Sequence, residues 1–153
     1  MKKLITQSLY IFIVVLISKF SLAQGVNWAS FVQGGTNSTS ILATSSAIDS
    51  NGDIYISGKF NGSATFGTIT LSGIGEEGFI AKLSSSGQVL WVETMGGLGS
   101  DAALGVEVDN IGGVYVCGYV ELAATFDTLS ITPQGVSSFN LYENFVAKYD
   151  TSG

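Results

Sequence analysis

The segment IDSNGDIYISGKF, residues 48–60, occurs a second time in altered form as VDNIGGVYVCGYV, residues 108–120. The two segments align without gaps. Each begins with an apolar residue and an aspartate, passes through a glycine-containing turn, and continues as an alternating apolar run. A repeated unit of this kind predicts similar supersecondary units that stack on one another and bury a shared core.

Further motifs follow in the same order in both copies. Ala-Thr-Phe occurs at 64–66 and again at 124–126, whereas FIAKLSSSG at 79–87 matches FVAKYDTSG at 145–153. The second spacing is longer because extra residues surround Pro133. An insertion of this kind belongs in a surface connection.

The pattern predicts four principal antiparallel strands per repeat, plus an inserted hairpin. NWASFVQGG at 27–35 resembles LWVETMGG at 90–97, which adds a tryptophan strand to the unit. Repeat 1 is expected at about residues 36–99 and repeat 2 at about 100–153, with the second incomplete at its C-terminal end. The expected strands of repeat 2 lie at residues 102–109, 114–120 and 145–149, and its hairpin at 125–132.

Composition favours an all-β fold. The 153 residues include 20 glycines, nine phenylalanines and six tyrosines, but one proline. Aromatic residues suit strands, and abundant glycine suits tight turns. The fold class is therefore predicted to be all-β, with about two propeller-type blades that form an incomplete propeller.

The ordered motifs resemble the bacterial SBBP-type β-propeller repeat. The matching residues are Ile48, Asp49, Gly52, Tyr55, Gly58, Phe66, Phe79, Lys82, Gly87 and Trp91. The resemblance covers residues 27–153 and implies a secreted or cell-surface protein used as a scaffold or binding surface, with no catalytic residues. Two departures stand out. Glu77 and Glu143 occupy positions where the family pattern usually has aspartate. In addition, a propeller needs about four to eight blades to close, whereas this chain supplies two.

Residues 1–23 have the layout of a secretory signal peptide. Lys2 and Lys3 precede an apolar centre at 9–17, and small residues stand at the positions that a signal peptidase reads, which predicts cleavage before Gln24. The alternative is a membrane anchor, but a spanning helix needs roughly 20 apolar residues. The repeat region at 24–153 is therefore expected to be secreted or held at the cell surface, without a stable membrane span.

Charge excludes several functions. The chain has six lysines, no arginine and no histidine, and residues 24–153 would carry three lysines against twelve acids, a net charge of −9. Phosphate recognition needs clustered cations, so nucleic acid is not expected as a partner. Without histidine there is no Ser-His-Asp arrangement and no imidazole zinc ligand. Partners are expected among extracellular proteins or glycans, with self-association or additional blades as further options.

Asp49, Asn51 and Asp53 are weak calcium candidates. A helix-flanked calcium loop needs glycine at its sixth position and glutamate at its twelfth, but Ile54 and Phe60 stand there. The favoured interpretation is a hairpin turn in which the first aspartate accepts backbone N–H groups. No cofactor is expected otherwise.

Other polar and aromatic groups are assigned structural roles. Glu77 with Lys82, and Glu143 with Lys148, are candidate pairs in which a lysine beside a carboxylate could be catalytic. The favoured interpretation is that Lys82 and Lys148 are pairing groups at blade edges or between blades. Cys117 is expected to be a small buried strand residue. The acids considered for a carboxylate-pair hydrolase are Glu76, Glu93, Asp101, Glu107 and Glu121. The aromatics expected in the core between blades are Trp28, Trp91, Tyr55, Tyr115, Phe66 and Phe126.

The predicted function is that of an exported, non-enzymatic binding or structural module. One alternative is a carboxylate-dependent hydrolase or lyase that acts on carbohydrates. Another is a unit that self-assembles into a ring.

Overall fold

The computed structural model describes residues 29–30, 32–34, 40–132 and 142–153, and over these residues the chain forms ten strands and no helix. The strands are β1 (Val32–Gly34), β2 (Ser40–Ile48), β3 (Ile54–Phe66), β4 (Ile69–Leu83), β5 (Val89–Gly97), β6 (Ala102–Val108), β7 (Val114–Val120), β8 (Ala124–Phe126), β9 (Leu129–Ile131) and β10 (Glu143–Tyr149). The all-β prediction is confirmed. The predicted signal peptide, Trp28 and the segment around Pro133 lie outside the described residues.

The first repeat forms a four-stranded antiparallel meander from β2 to β5. β3 and β4 are long because each runs through both the motif strand and the hairpin predicted beside it, with a bulge between Asn61 and Ser63. The hairpin is therefore the outer half of two continuous strands in this repeat. β1 pairs with the outer half of β3, and β8 with the outer half of β5, so that seven strands share the sheet.

The second repeat forms a three-stranded antiparallel sheet in the order β10-β7-β6. The strand positions predicted from its sequence are confirmed to within a few residues. Its hairpin, β8–β9, is also present, but it pairs with β5 of the first repeat instead of extending its own sheet. Among the described residues, β10 pairs with β7 alone.

The second sheet packs across one face of the first, which we call the front face. The core between them combines Tyr55, Ile80 and Met95 with the apolar side chains of the second repeat. The second-repeat members are Ala103, Val106, Val114, Val116, Val120, Ala124, Phe126, Phe145 and Tyr149. This burial supplies the main hydrophobic stabilisation of the junction.

A second core lies on the opposite, back face of the first sheet. It contains Phe60, Ala64, Phe66, Phe79, Ala81, Leu83 and Val92. Most of these residues are repeat equivalents of the side chains that the second sheet buries between the sheets. The edge-to-face ring pair Phe66–Phe79, with centroids 4.8 Å apart, corresponds to Phe126–Phe145 at 4.7 Å. The two repeats therefore present the same kind of back face.

A glycine shared by both repeats allows this packing. A Cβ on Gly58 would collide with the Leu42 carbonyl and the Phe79 ring. A Cβ on the equivalent Gly118 would collide with the Ala102 carbonyl and the Phe145 ring. The repeated glycine is required by the phenylalanine that lies against it.

The front faces of the two repeats differ in exposure, which corrects two predictions. Tyr55 and Ser57 are fully buried under the second sheet. Their equivalents are not, because no described residue covers them: Tyr115 is 37% exposed and Cys117 is exposed. The prediction that Cys117 is buried was wrong, as was the core assignment of Tyr115.

Leu104 does not belong to a regular alternation. The β6–β7 register shifts between Ala103 and Gly105, and Leu104 points outward while Ala103 and Val106 are buried. A bulge of this kind inserts one residue and reverses the side-chain order beyond it.

Candidate functional site

The Asp49 turn is held together by the aspartate itself. Its Oδ1 accepts the backbone N–H groups of Asn51 at 2.8 Å and Asp53 at 3.0 Å, and its carbonyl accepts that of Gly52 at 3.0 Å. Gly52 has a φ of 82°, a conformation that glycine adopts without strain. The structure shows the turn that the sequence predicts.

The second repeat contains the same turn. Asp109 Oδ1 accepts the N–H groups of Ile111 at 3.0 Å and Gly113 at 2.7 Å, and Gly112 has a φ of 90°. The backbone N–H of Gly113, more than any other group, lowers the pKa of Asp109. The turn therefore depends on an aspartate that is ionised.

A lysine from a neighbouring strand completes the cluster. Lys82 Nζ lies 3.2 Å from Asp53 Oδ2, 3.9 Å from Asp49 Oδ2 and 5.1 Å from the centroid of the Tyr55 ring. The antiparallel register places Lys82 directly opposite Tyr55. Burial opposes the lysine charge, but the hydrogen bonds with Tyr55 and Asp53 outweigh it, so the pKa of Lys82 is raised.

The second repeat reproduces the cluster in a more exposed setting. Lys148 Nζ lies 5.0 Å from the Tyr115 centroid, and the Tyr115 hydroxyl donates to Asp109 Oδ2 at 3.1 Å. The hydrogen bond with Tyr115 raises the pKa of Lys148. We call these two groups the Asp-Tyr-Lys clusters. Their signal was already in the sequence, because Asp, Tyr and Lys recur together in both copies.

Glu77, the candidate partner of Lys82 in the sequence, does not pair with it; Lys82 pairs with Asp49 and Asp53 instead. Five positions separate the two residues on β4, which places them on opposite faces and about 17 Å apart along the strand. Glu143 begins β10 and is exposed, and the hydrogen-bond and aromatic contacts of Lys148 are with its own Asp-Tyr-Lys cluster.

The calcium candidates are occupied by protein groups. Asp49 Oδ1 faces backbone donors, whereas Asp49 Oδ2 and Asp53 Oδ2 face the ammonium of Lys82. Asn51 is exposed at the turn, and its backbone donates to Asp49. Within the described ranges, no group of three or more His, Cys, Asp or Glu residues is placed to hold a metal ion. The lysine stands where a bound cation would have to lie.

Sequence reasoning missed a buried carboxylate pair at the junction of the repeats. Glu77 and Asp101 are both buried, and their oxygens lie on either side of the site that a Cβ of Gly96 would fill. Asp101 accepts the N–H groups of Gly97 at 2.8 Å and Glu121 at 3.0 Å. Glu77 recurs as Glu143, but the position equivalent to Asp101 in the first repeat is Ile41, so the repeat comparison did not bring the two acids together.

Burial, followed by the nearby charge of Asp101, raises the pKa of Glu77. Burial also raises the pKa of Asp101, and its two backbone donors oppose that change. Beside this pair, Glu76 accepts from Lys59 at 2.7 Å and from the hydroxyl of Ser100 at 3.3 Å. These contacts tie the loop before β6 to the first sheet.

The acids are spread over structural positions and do not line one cleft. Glu121 accepts the Ser100 N–H at 2.9 Å, Glu107 is exposed on β6, and burial raises the pKa of Glu93. Two grooves lined by the sheets, of about 470 Å³ and about 310 Å³, contain none of Glu76, Glu77 or Asp101.

Of the predicted core aromatics, Tyr55, Phe66 and Phe126 are buried. Trp91 is partly buried against Tyr55, and its Nε1 donates to the Thr151 carbonyl at 3.0 Å. Trp91 therefore joins the first repeat to the end of the second.

No protein-family model matches the chain, and no curated protein matches it either. In the part of the chain that the structure describes, no helix is long and apolar enough to cross a bilayer.

Proposed function

We propose that the chain is an exported β-propeller-type repeat module, of the SBBP kind that its motifs resemble, and that it acts as a non-enzymatic binding or structural scaffold outside the cytoplasm. Its two repeats correspond to two blades of an incomplete propeller. The signal-peptide pattern at residues 1–23 supports export.

The face-to-face packing of the repeats is the observation that carries this proposal. The second antiparallel sheet lies on the front face of the first, and each sheet has an equivalent back face built around a phenylalanine pair and a close-packed glycine. Successive sheets stacked in this manner are the layout of propeller blades.

The use of the charged residues supports a scaffold over a catalyst. Lys82 and Lys148 belong to the Asp-Tyr-Lys clusters, Lys59 pairs with Glu76, and Asp101 anchors backbone groups. A catalytic group has to face a substrate in a groove, whereas Lys82, Lys59 and Asp101 face other parts of the fold.

The proposal is tested by ligand capture without turnover. The purified protein is incubated with an array of glycans and extracellular polymers, and both retained ligand and released product are measured. Capture with unchanged ligand is the expected result. Reproducible product formation that disappears in the Glu76→Gln, Glu77→Gln double variant would contradict it and favour the hydrolase alternative.

A further inference from the structure

We propose that the uncovered front face of the second repeat, together with the open edge of β10, binds the first repeat of a second copy of this chain, head to tail. This inference rests on the proposed function, in which the repeats stack as propeller blades. It identifies the partner as a second copy of the chain and names the two surfaces that would be in contact.

The first argument is the unequal exposure of equivalent residues on the two front faces. Ile80 is 0% exposed in the core between the sheets, and its equivalent Val146 is 77% exposed. Tyr115 and Cys117 line one open groove with Val146 and the carboxylate-bearing Glu107. Leu104 is the equivalent of Thr44, which donates to the Ala103 carbonyl across the junction in the first repeat. The positions that the neighbouring sheet covers in the first repeat are therefore open in the second, and exposed apolar side chains grouped on one face mark an interaction site.

The second argument is that the chain also carries the complementary surface. On the back of the first sheet, a groove of about 310 Å³ is lined by apolar side chains that include Ile56, Phe79 and Ala81. Their equivalents in the second repeat, Val116, Phe145 and Ala147, pack against Tyr55 and Ile80. The back groove therefore lacks the two side chains that Tyr115 and Val146 of another copy would provide.

The third argument comes from strand pairing. In the first repeat β4 pairs on one side with β3 and on the other with β5, whereas β10 pairs only with β7 among the described residues. A groove of about 470 Å³ runs along the edge of β10 that no described residue pairs with, between that strand and the β8–β9 hairpin. An unpaired strand edge of this kind accepts an added strand.

β1 identifies the strand that fits this groove. Val32 pairs with Phe66 in the same way that Met95 of β5 pairs with Phe126. β1 thus occupies the outer part of a tryptophan strand, yet Ala29 and Ser30, which precede it, are exposed and belong to no strand. In β5 the corresponding residues pair with β4, so Ala29 and Ser30 of one copy are placed by sequence equivalence to pair with β10 of another.

The second repeat's own chain does not supply this strand from β1, because β1 pairs with β3 at the edge of the first sheet and its Val32 packs into the back core, away from the second repeat. The two surfaces are different, so the contact is heterologous, and repeated use of it generates a ring if the rotation closes.

The test measures the mass of the purified full chain by light scattering across a concentration series. The wild-type chain is expected to have a mass several-fold above that of the monomer. Val146→Lys places a charge on the open face and is expected to give a monomer. Ile111→Lys is the matched control, because Ile111 is also an exposed β-branched residue but lies at a turn tip, and this variant should assemble like wild type. Leu104→Lys provides a second disrupting variant.

The single thiol gives an independent readout. Cys117 is exposed in one chain, whereas its equivalent Ser57 is fully buried under the neighbouring sheet. Maleimide should therefore react slowly with Cys117 in the wild-type assembly and rapidly in Val146→Lys. A wild-type chain that is monomeric at every concentration, with a rapidly reacting Cys117, would overturn the assembly and leave this face to another occupant. The ligand-capture result would be unaffected, so the two proposals fail separately.

Discussion

At the scale of single residues, Asp49 and Asp109 perform the same task in different surroundings. Each closes a turn through two backbone N–H groups, but only Asp49 also faces a buried lysine. Comparing substitutions at the two aspartates therefore distinguishes the stability that comes from the hydrogen bonds of the turn from the stability that comes from the buried contact with lysine.

Asp49→Ala is expected to lower the free energy of unfolding by about 2 kcal/mol, because it removes charge-assisted hydrogen bonds and leaves their donors without partners. Asp109→Ala should cost less, since water can reach that turn. Urea unfolding of both variants measures the difference. Asp49→Asn keeps an acceptor oxygen, so its unfolding free energy should lie between those of Asp49→Ala and wild type. If Asp49→Ala loses no more stability than Asp109→Ala, the contact between Asp49 and Lys82 does not contribute.

Calcium is expected to leave the melting temperature unchanged, because the Lys82 ammonium lies between the two carboxylates that would bind it. Thermal unfolding in calcium and in chelator tests this expectation. A large stabilisation by calcium, lost in Asp53→Asn, would show that the ion displaces the lysine.

The aspartate turn was predictable because its donors lie within a few residues of the acceptor. The partner of Lys82 was not, because it depends on the β3–β4 register, which brings residues from distant sequence positions together. Alternation along β4 was enough to reject Glu77, since an odd separation places two residues on opposite faces.

At the scale of strands, the repeated Gly58 and Gly118 connect local sequence to sheet packing. Each lies under a phenylalanine from the adjacent strand and against a carbonyl of the strand on its other side. The space around the Cα of each glycine is therefore filled by both neighbouring strands, which leaves no room for a side chain.

Gly118→Ala is expected to destabilise the chain by about 2 kcal/mol or more, through overpacking against Phe145 and Ala102. Gly105→Ala is the matched control, because its Cβ would meet only the exposed Cys117 side chain at 3.0 Å. Urea midpoints for the two variants provide the measurement. Equal effects would indicate that glycine matters here only through backbone entropy.

The hairpin β8–β9 shows where strand prediction reaches its limit. Turn residues and alternation located it at nearly the right positions, but they carry no information on which sheet it joins. It pairs with β5 through Met95, Gly96 and Gly97. The sheet that the hairpin joins is therefore decided by a contact between repeats. The exposure of Cys117 likewise depends on contacts between sheets and not on its local sequence.

At the scale of the whole molecule, the buried carboxylates at the junction make stability depend on pH. The pKa values of Glu77 and Asp101 are raised in the folded chain above their ordinary values of 4.5 and 3.8. The folded state therefore holds these protons more tightly than the unfolded state. The resulting stabilisation is complete below the unfolded values and is lost as pH rises through the folded-state pKa values.

Glu77→Gln should remove part of this dependence, because the amide cannot ionise but still offers an acceptor to the Gly75 N–H. The expected result is a higher urea midpoint than wild type at pH 7, and a smaller difference at pH 4. Glu107→Gln is the control, compared with Glu77→Gln in the Val146→Lys background, where Glu107 stays exposed on β6, and it should change neither midpoint. A lower midpoint at pH 7 for Glu77→Gln would show that the ionised form stabilises the junction.

The sequence predicted the stacked, all-β organisation because the core residues recur with the repeats, as Phe66 with Phe126 and Phe79 with Phe145 show. It did not predict the unequal exposure of Tyr55 and Tyr115. Equivalent residues have equivalent sequence surroundings, whereas their exposure depends on whether another sheet lies above them.

β5 has a mechanical consequence for the chain. Residues 89–95 pair with β4, whereas residues 95–97 pair with β8 of the second repeat, and the Trp91 indole holds the carbonyl of Thr151. A force that pulls on one repeat is therefore transmitted to the other through a continuous length of backbone. Because no flexible linker separates the repeats at β5, we expect both repeats to unfold together, in a single event, when the chain is stretched.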